Sequence, residues 1–191
     1  LDIGGSYKTG KSLKELAEIN QASRLFATLE KLPEKDKELK YERPLYSHQE
    51  EALRYARNGG NLVVTTGTGS GKTECFLLPI LQSLLEEIEA ETLTRAVRAI
   101  VIYPMNALAN DQMKRLRKIL ATCPAITFGL YNGNTRHRQT QAEADYRSLN
   151  GSAPLPNEMI SREAMQNEPP HILITNYSML EYMMLRPKDD A

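Results

Sequence analysis

The segment Thr66-Gly67-Thr68-Gly69-Ser70-Gly71-Lys72-Thr73 gathers the groups needed to hold a polyphosphate. Gly67, Gly69 and Gly71 permit positive φ and let the backbone approach an anion closely. Main-chain N–H groups at the start of a helix then face the phosphates. Lys72 is placed to reach β- and γ-phosphate oxygens, and the Thr73 hydroxyl to take one position on Mg²⁺. Specific contacts outweigh the helix dipole here: the dipole contributes ~0.3–1 kcal/mol, whereas each charge-assisted hydrogen bond contributes ~1.5–3 kcal/mol. The reading requires a turn open to a ligand and not plugged by its own side chains. A glycine-rich turn without a ligand is the other reading.

A second segment, Gly5–Ser12 (GSYKTGKS), satisfies Gly-x-x-x-x-Gly-Lys-Ser/Thr literally, whereas Thr66 stands where that pattern wants its first glycine. Context decides between them. A phosphate loop works when a buried strand delivers the chain to a tight turn at a helix N-terminus. Only Leu1-Asp2-Ile3-Gly4 precedes Gly5, and a charged linker follows its helix. The 66–73 segment follows Asn61–Thr65 (NLVVT), short, β-branched and apolar, and precedes a long apolar helix.

The elements that must position these groups follow from periodicity. Ser12 to about Leu32 reads as one helix, with Leu13, Leu16, Ala17, Ile19, Ala22, Leu25 and Phe26 at spacings of three and four. Lys31–Glu42 reads as a solvated linker. A short helix is expected from Ser47, as N-cap with Glu50 three residues on, to Arg57. Buried strands are expected at 61–65, 98–103, 126–131 and 171–175, and helices at 71–90, 107–120 and 178–185. The segment 132–170 reads as polar, with one or two short helices. Such alternation implies an α/β fold, a parallel sheet flanked by helices. The expected organisation is an N-terminal helical segment and linker over residues 1–42, then a nucleotide-binding domain over 43–191.

Composition sets outer limits. In 191 residues, 41% hydrophobic and 25% charged, there is material for one compact domain. No apolar run reaches the roughly 18–20 residues that cross a membrane, and no membrane partner is expected. The two cysteines, Cys75 and Cys123, form neither a disulfide framework nor a Cys-x-x-Cys pair. A reducing, cytoplasmic setting is the expectation. With 24 basic and 24 acidic side chains, blanket attraction of nucleic acid is excluded, and any such contact must be local.

The loop T-G-T-G-S-G-K-T, lacking the first glycine, resembles that of DEAD/DEAH-box and other superfamily 2 helicases. Leu45-Tyr46-Ser47-His48-Gln49 looks like their adenine-reading glutamine motif, with Gln49 standing 23 residues before Lys72. A glutamine amide offers a donor and an acceptor to adenine's N6/N7 edge, and Tyr46 or Leu45 can cover the base face. An exposed helix position is the alternative for Gln49. Residues 103–112 (YPMNALANDQ) resemble motif Ia, and 174–180 (ITNYSML) motif Ib, both grips on the sugar–phosphate backbone in that family. The resemblance implies nucleic-acid contacts at Pro104, Asn106, Ala107, Gln112, Thr175 and Asn176. Met105 and Asn106 depart from the commoner Thr-Arg or Thr-Lys pair. Lys114, Arg115, Arg117 and Lys118 follow, as phosphate contacts or as a solvated face. Residues 131–135 (YNGNT) and the run 161–187 are similar to the branch that holds YprA-type DNA helicases and the large helicases of bacterial anti-phage systems. Arg136 and Arg138 could add phosphate contacts there, or 131–138 is an ordinary polar loop.

The resemblance implies a RecA-like P-loop NTPase fold, ATP and Mg²⁺ as ligands, and nucleic acid as partner, DNA favoured over RNA. It further implies an ATP-dependent helicase or translocase acting with a second RecA-like domain. A nucleotide-gated binding subunit, or a duplex translocase that does not unwind, within a defence or restriction system, is the alternative. The family's Asp-Glu-Ala-His/Asp motif does not occur before Ala191. On that reading the sheet is incomplete, and the chain by itself is expected to bind ATP weakly and turn it over negligibly.

Overall fold

The computed structural model describes residues 7–30 and 38–185. They fall into two compact units: one built from 7–30 and 39–93, the other from Glu38 and 94–185. The boundary expected at 42/43 is not where the chain divides. The N-terminal segment packs within the same unit as the glycine loop.

The first unit opens with β1 (Thr9–Ser12), paired antiparallel with β2 (Pro44–Tyr46). The single helix expected over 12–32 is broken. Helix α1 covers only Leu13–Glu18, Asn20 turns left-handed at φ 58°, and a 3-10 helix covers Arg24–Glu30. Asparagine tolerates that conformation better than most residues, so the chain can reverse there. The apolar periodicity survives, since Leu13, Leu16, Ala17, Phe26 and Leu29 are all buried. Ser12 caps α1 reciprocally: Glu15 N donates to Ser12 Oγ (3.2 Å) and Ser12 N donates to Glu15 Oε2 (2.7 Å). Part of the expected linker, 31–37, and the end of that helix lie outside the described residues.

Helix α2 (Ser47–Arg57) starts where expected, but its cap is Tyr46, whose N–H donates to Gln49 Oε1 at 2.9 Å, and not Ser47 with Glu50. It packs on α3 (Lys72–Glu89), which buries Cys75, Leu78, Leu81 and Leu85. Each such leucine contributes roughly 1.5–3 kcal/mol. Asn61–Thr65, expected as a buried strand, is not one: Val63 is 87% exposed. Strand propensity describes fit to a pleated surface with a neighbour. Among the described residues of this unit the only sheet is β1–β2, and 61–65 has no partner in it.

The second unit carries the expected parallel sheet. Strands β3 (Ala99–Tyr103), β4 (Phe128–Tyr131), β5 (Glu158–Met159) and β6 (Ile172–Asn176) lie in the order β3-β6-β4-β5, all parallel. Helices α4 (Asn106–Leu120), α5 (Gln139–Asn150), α6 (Arg162–Asn167) and α7 (Tyr177–Leu185) intervene or follow. Ile172 and Ile174 of the interior strand β6 are buried, whereas Ile100 and Ile102 of the edge strand β3 are half-exposed and not buried on both faces. The region read as polar holds α5, α6 and the two-residue β5, too short to leave a periodic signal. Thr175 Oγ1 donates to the Tyr131 carbonyl at 2.7 Å, tying the ends of β6 and β4 together.

Candidate nucleotide loop and nucleic-acid cleft

In the first unit, Gly69 and Gly71 take φ of 76° and 73°, so the 66–73 turn needs glycine at both. A Cβ at Gly71 would also lie 2.3 Å from Gln49 Nε2. Gly71 then caps α3, whose first residue is Lys72. The loop is not anchored by a strand, as 61–65 would have done, but by α2. His48 Nε2 donates to the Ser70 carbonyl (2.9 Å) and Gln49 Nε2 to the Gly71 carbonyl (3.0 Å). Ser70 is fully buried, and its hydroxyl bonds Thr66 Oγ1 at 2.6 Å.

The turn is open only in part. Lys72 Nζ folds back to the Thr66 and Gly67 carbonyls at 2.8 and 2.6 Å, while Gly67, Thr68 and Gly69 remain exposed. A phosphate would replace those two carbonyls as acceptors, and ion-paired hydrogen bonds are stronger than bonds to a neutral carbonyl. Thr73, the expected Mg²⁺ ligand, follows Lys72 on the first turn of α3, half-buried. Cys75, on the same turn, is buried, and burial pushes its thiol up.

Gln49 does not present its amide to a base. It is 6% exposed, with Oε1 held by Tyr46 N and Nε2 by Gly71 O. In this arrangement it is a brace between the start of α2 and the glycine loop. The exposed-helix reading does not match this placement. Beside it lie three rings: Tyr46 and His48 stack at 5.6 Å, and Tyr7 meets both at 5.4 and 5.5 Å. Tyr7 also approaches the loop, its hydroxyl 3.0 Å from where a Cβ on Gly67 would sit. The strict match ending at Ser12 holds no ligand cradle in its described part. Lys11 N donates to the Glu50 carboxylate at 2.7 Å, and Glu15 occupies the start of α1. Gly5 and Ser6 lie outside the described residues.

In the second unit, the motif Ia and Ib resemblances meet. Asn106 opens α4 and Asn176 ends β6, and Asn176 Nδ2 donates to Asn106 Oδ1 at 2.7 Å. Asn132, from the loop after β4, donates to the same oxygen at 3.2 Å. A cleft of about 370 Å³ opens beside them, where Asn106, Arg162, Asn176 and Ser178 share the lining with Met179 and Tyr182. Of the remaining expected contacts, Pro104 and Ala107 are exposed and Gln112 is half-buried. Thr175 is fully buried with its hydroxyl spent on Tyr131, so it braces the sheet and offers no side-chain contact to a ligand.

The basic cluster is consumed by acids. Lys118 pairs with Glu38 (2.9 Å), Arg115 with Glu38 (3.7 Å), Lys114 with Asp111 (3.4 Å) and Arg117 with buried Glu158 (2.7 Å). Arg136 pairs with Asp145, and Arg138 caps α5 through its backbone. Apart from Arg138, each of these side chains has an acid beside it, as on a solvated or paired face. Sequence reasoning missed Arg162 and gave Asn132 no role of its own. Arg162 donates to the Asn132 and Thr135 carbonyls (2.9 and 3.0 Å) and lies 5.2 Å over the Tyr131 ring. Its only signal was its place in the 161–187 run. His48 was legible solely as the neighbour of Gln49.

A profile of the DEAD/DEAH box helicase family matches residues 46–190. The Druantia protein DruE of Escherichia coli is 30% identical over 77% of this chain, and the helicase YprA of Bacillus subtilis 40% identical over 40% of it. The solved structure of the DUF1998 helicase MrfA bound to DNA matches 94% of the chain with a TM-score of 0.60 and 28% identity. MrfA bound to DNA and AMPPNP matches with a TM-score of 0.56 and 27% identity, over 91% of this chain and 19% of that one. The chain spans 12% of DruE, 9% of YprA and 20% of DNA-bound MrfA. With glycine loop, parallel sheet and profile in agreement, this chain belongs to the DEAD/DEAH box helicase family.

Proposed function

We propose that this chain supplies the ATP-binding loop and one backbone-gripping cleft of an ATP-driven DNA helicase or translocase. The carrying observation is the 66–73 turn, where two left-handed glycines, exposed main chain and a lysine with replaceable partners sit at the start of an 18-residue helix. MrfA, similar over most of the chain, was solved with both DNA and AMPPNP, which supports pairing the two ligands here. Lys72 would hold the β- and γ-phosphates, and the 67–71 amides would cradle them. The donor set fits a magnesium nucleotide: Mg²⁺ would neutralise phosphate charge, and the Thr73 hydroxyl would supply one of its oxygen ligands. Tyr46, with Tyr7 and His48, would form the platform on which the base stacks.

DNA is the favoured strand because the MrfA structures hold DNA. No described helix is long and apolar enough to cross a membrane. A cytoplasmic setting and action with a second RecA-like domain complete the proposal. Lys72→Ala in the full-length protein should cut DNA-stimulated ATP hydrolysis by about 10²–10³-fold or more. Steady-state hydrolysis with and without single-stranded DNA is the measurement. Hydrolysis near the wild-type rate would remove the 66–73 loop from the reaction.

A further inference from the structure

The Gly71 carbonyl belongs to the first turn of α3, where it accepts from Glu74 N at 3.2 Å. The preceding peptide plane, between Ser70 and Gly71, has no such helical hold. Glycine takes either sign of φ at little cost, so a plane ending at Gly71 is free to turn over. Turning it would exchange the directions of the Ser70 carbonyl and the Gly71 N–H, which point opposite ways in a trans peptide. His48 prevents that. Its Nε2 lies 2.9 Å from the Ser70 carbonyl, and since a carbonyl only accepts, Nε2 must carry the proton. With the carbonyl drawn to the first turn of α2, the Gly71 N–H is aimed away from α2.

This hold differs in kind from that of Lys72. Lys72 Nζ grips the Thr66 and Gly67 carbonyls at 2.8 and 2.6 Å, and must give them up when it turns to a phosphate. His48 has no such second duty. Its half-buried ring is fixed by two others, Tyr46 stacked at 5.6 Å and Tyr7 edge-on at 5.5 Å. The Ser70 side chain is fully buried and bonded to Thr66 Oγ1 at 2.6 Å, so the freedom left in the turn lies at its glycines.

We infer that His48 is a positioning residue of the phosphate site, whose Nε2–H locks the Ser70–Gly71 plane so that the Gly71 N–H is presented to the polyphosphate. His48 touches no phosphate and acts through the plane it holds. The inference rests on the proposed nucleotide-binding function of the 66–73 loop and gives His48 a task separate from stacking under a base.

The test sets two variants of the full-length protein against each other. His48→Phe keeps a ring beside Tyr46 and removes the donor. His48→Gln removes the ring and keeps an N–H at the same bond distance from Cβ as imidazole Nε2. Two quantities are read with magnesium in excess: KM for ATP in DNA-stimulated hydrolysis, and Ki for inorganic tripolyphosphate, which has no base. His48→Phe should raise both roughly fivefold, the worth of one hydrogen bond, and His48→Gln should recover at least half of each loss. Asparagine ends one bond short, so His48→Asn against His48→Gln runs the same comparison if His48→Phe lowers Tm. A Ki that His48→Phe leaves unmoved, or a His48→Gln no better than His48→Phe, overturns the positioning role while leaving the helicase reading intact. Wild-type protein that neither hydrolyses ATP nor binds tripolyphosphate overturns the functional reading beneath it.

Discussion

A glutamine whose two amide ends are both occupied cannot read a base edge without surrendering one of them. Gln49 is in that position, joining Tyr46 N to the Gly71 carbonyl. Gln49→Glu keeps the acceptor for Tyr46 but sets a carboxylate oxygen against the Gly71 carbonyl. A brace predicts that KM rises five- to tenfold for ATP and GTP alike, the cost of about one lost hydrogen bond (~1 kcal/mol). A base reader predicts a rise for ATP alone. Comparing KM for the two nucleotides decides, and an ATP-only effect would return Gln49 to the base.

At the scale of elements, a trio around one buried carboxylate pins α4, α5 and β5. Glu158 has a fully buried side chain, Arg117 meets it at 2.7 Å, and the Tyr146 hydroxyl donates to it at 2.9 Å. Arg117 also lies 5.1 Å over the Tyr146 ring. Arg117→Met leaves a buried carboxylate without its cation and should cost about 3–5 kcal/mol in urea denaturation. A loss under 1 kcal/mol would mean the acid escapes to water. Burial first, and Glu158 second, push the Tyr146 hydroxyl up to about 12. Its value in the unfolded chain is about 10. The folded value is the higher one, so the contribution of Tyr146 is intact below pH ~10 and is lost as pH rises through about 12. Tyr146→Phe should remove that alkaline component from the stability curve.

At the scale of the whole molecule, charge is balanced overall and also locally. Formal net charge is zero, and each of the basic residues after motif Ia has an acid beside it. Affinity for nucleic acid contributed by this chain should therefore depend little on counterion release. Lys118→Gln should leave the slope of log K against log[salt] unchanged, whereas losing a true phosphate contact on a single strand would lower its magnitude by about 0.7. A drop of that size would place Lys118 on the strand.

The sequence by itself determined the glycine loop, the helices at 72–89 and 106–120, and the parallel character of the sheet. Those features are local: alternating glycines followed by a lysine, or apolar residues recurring at fixed spacing, carry their own physical reason. Only the tertiary structure decided the rest. Whether 61–65 is a strand depends on a neighbour, which no residue within it supplies. The roles of Gln49, Thr175 and the basic cluster turned on partners 22 to 80 residues away, at Gly71, Tyr131 and Glu38. That Asn106 Oδ1 accepts from both Asn132 and Asn176 is a property of three asparagines together, because hydrogen-bond polarity is settled by the whole network and not by any one of its members.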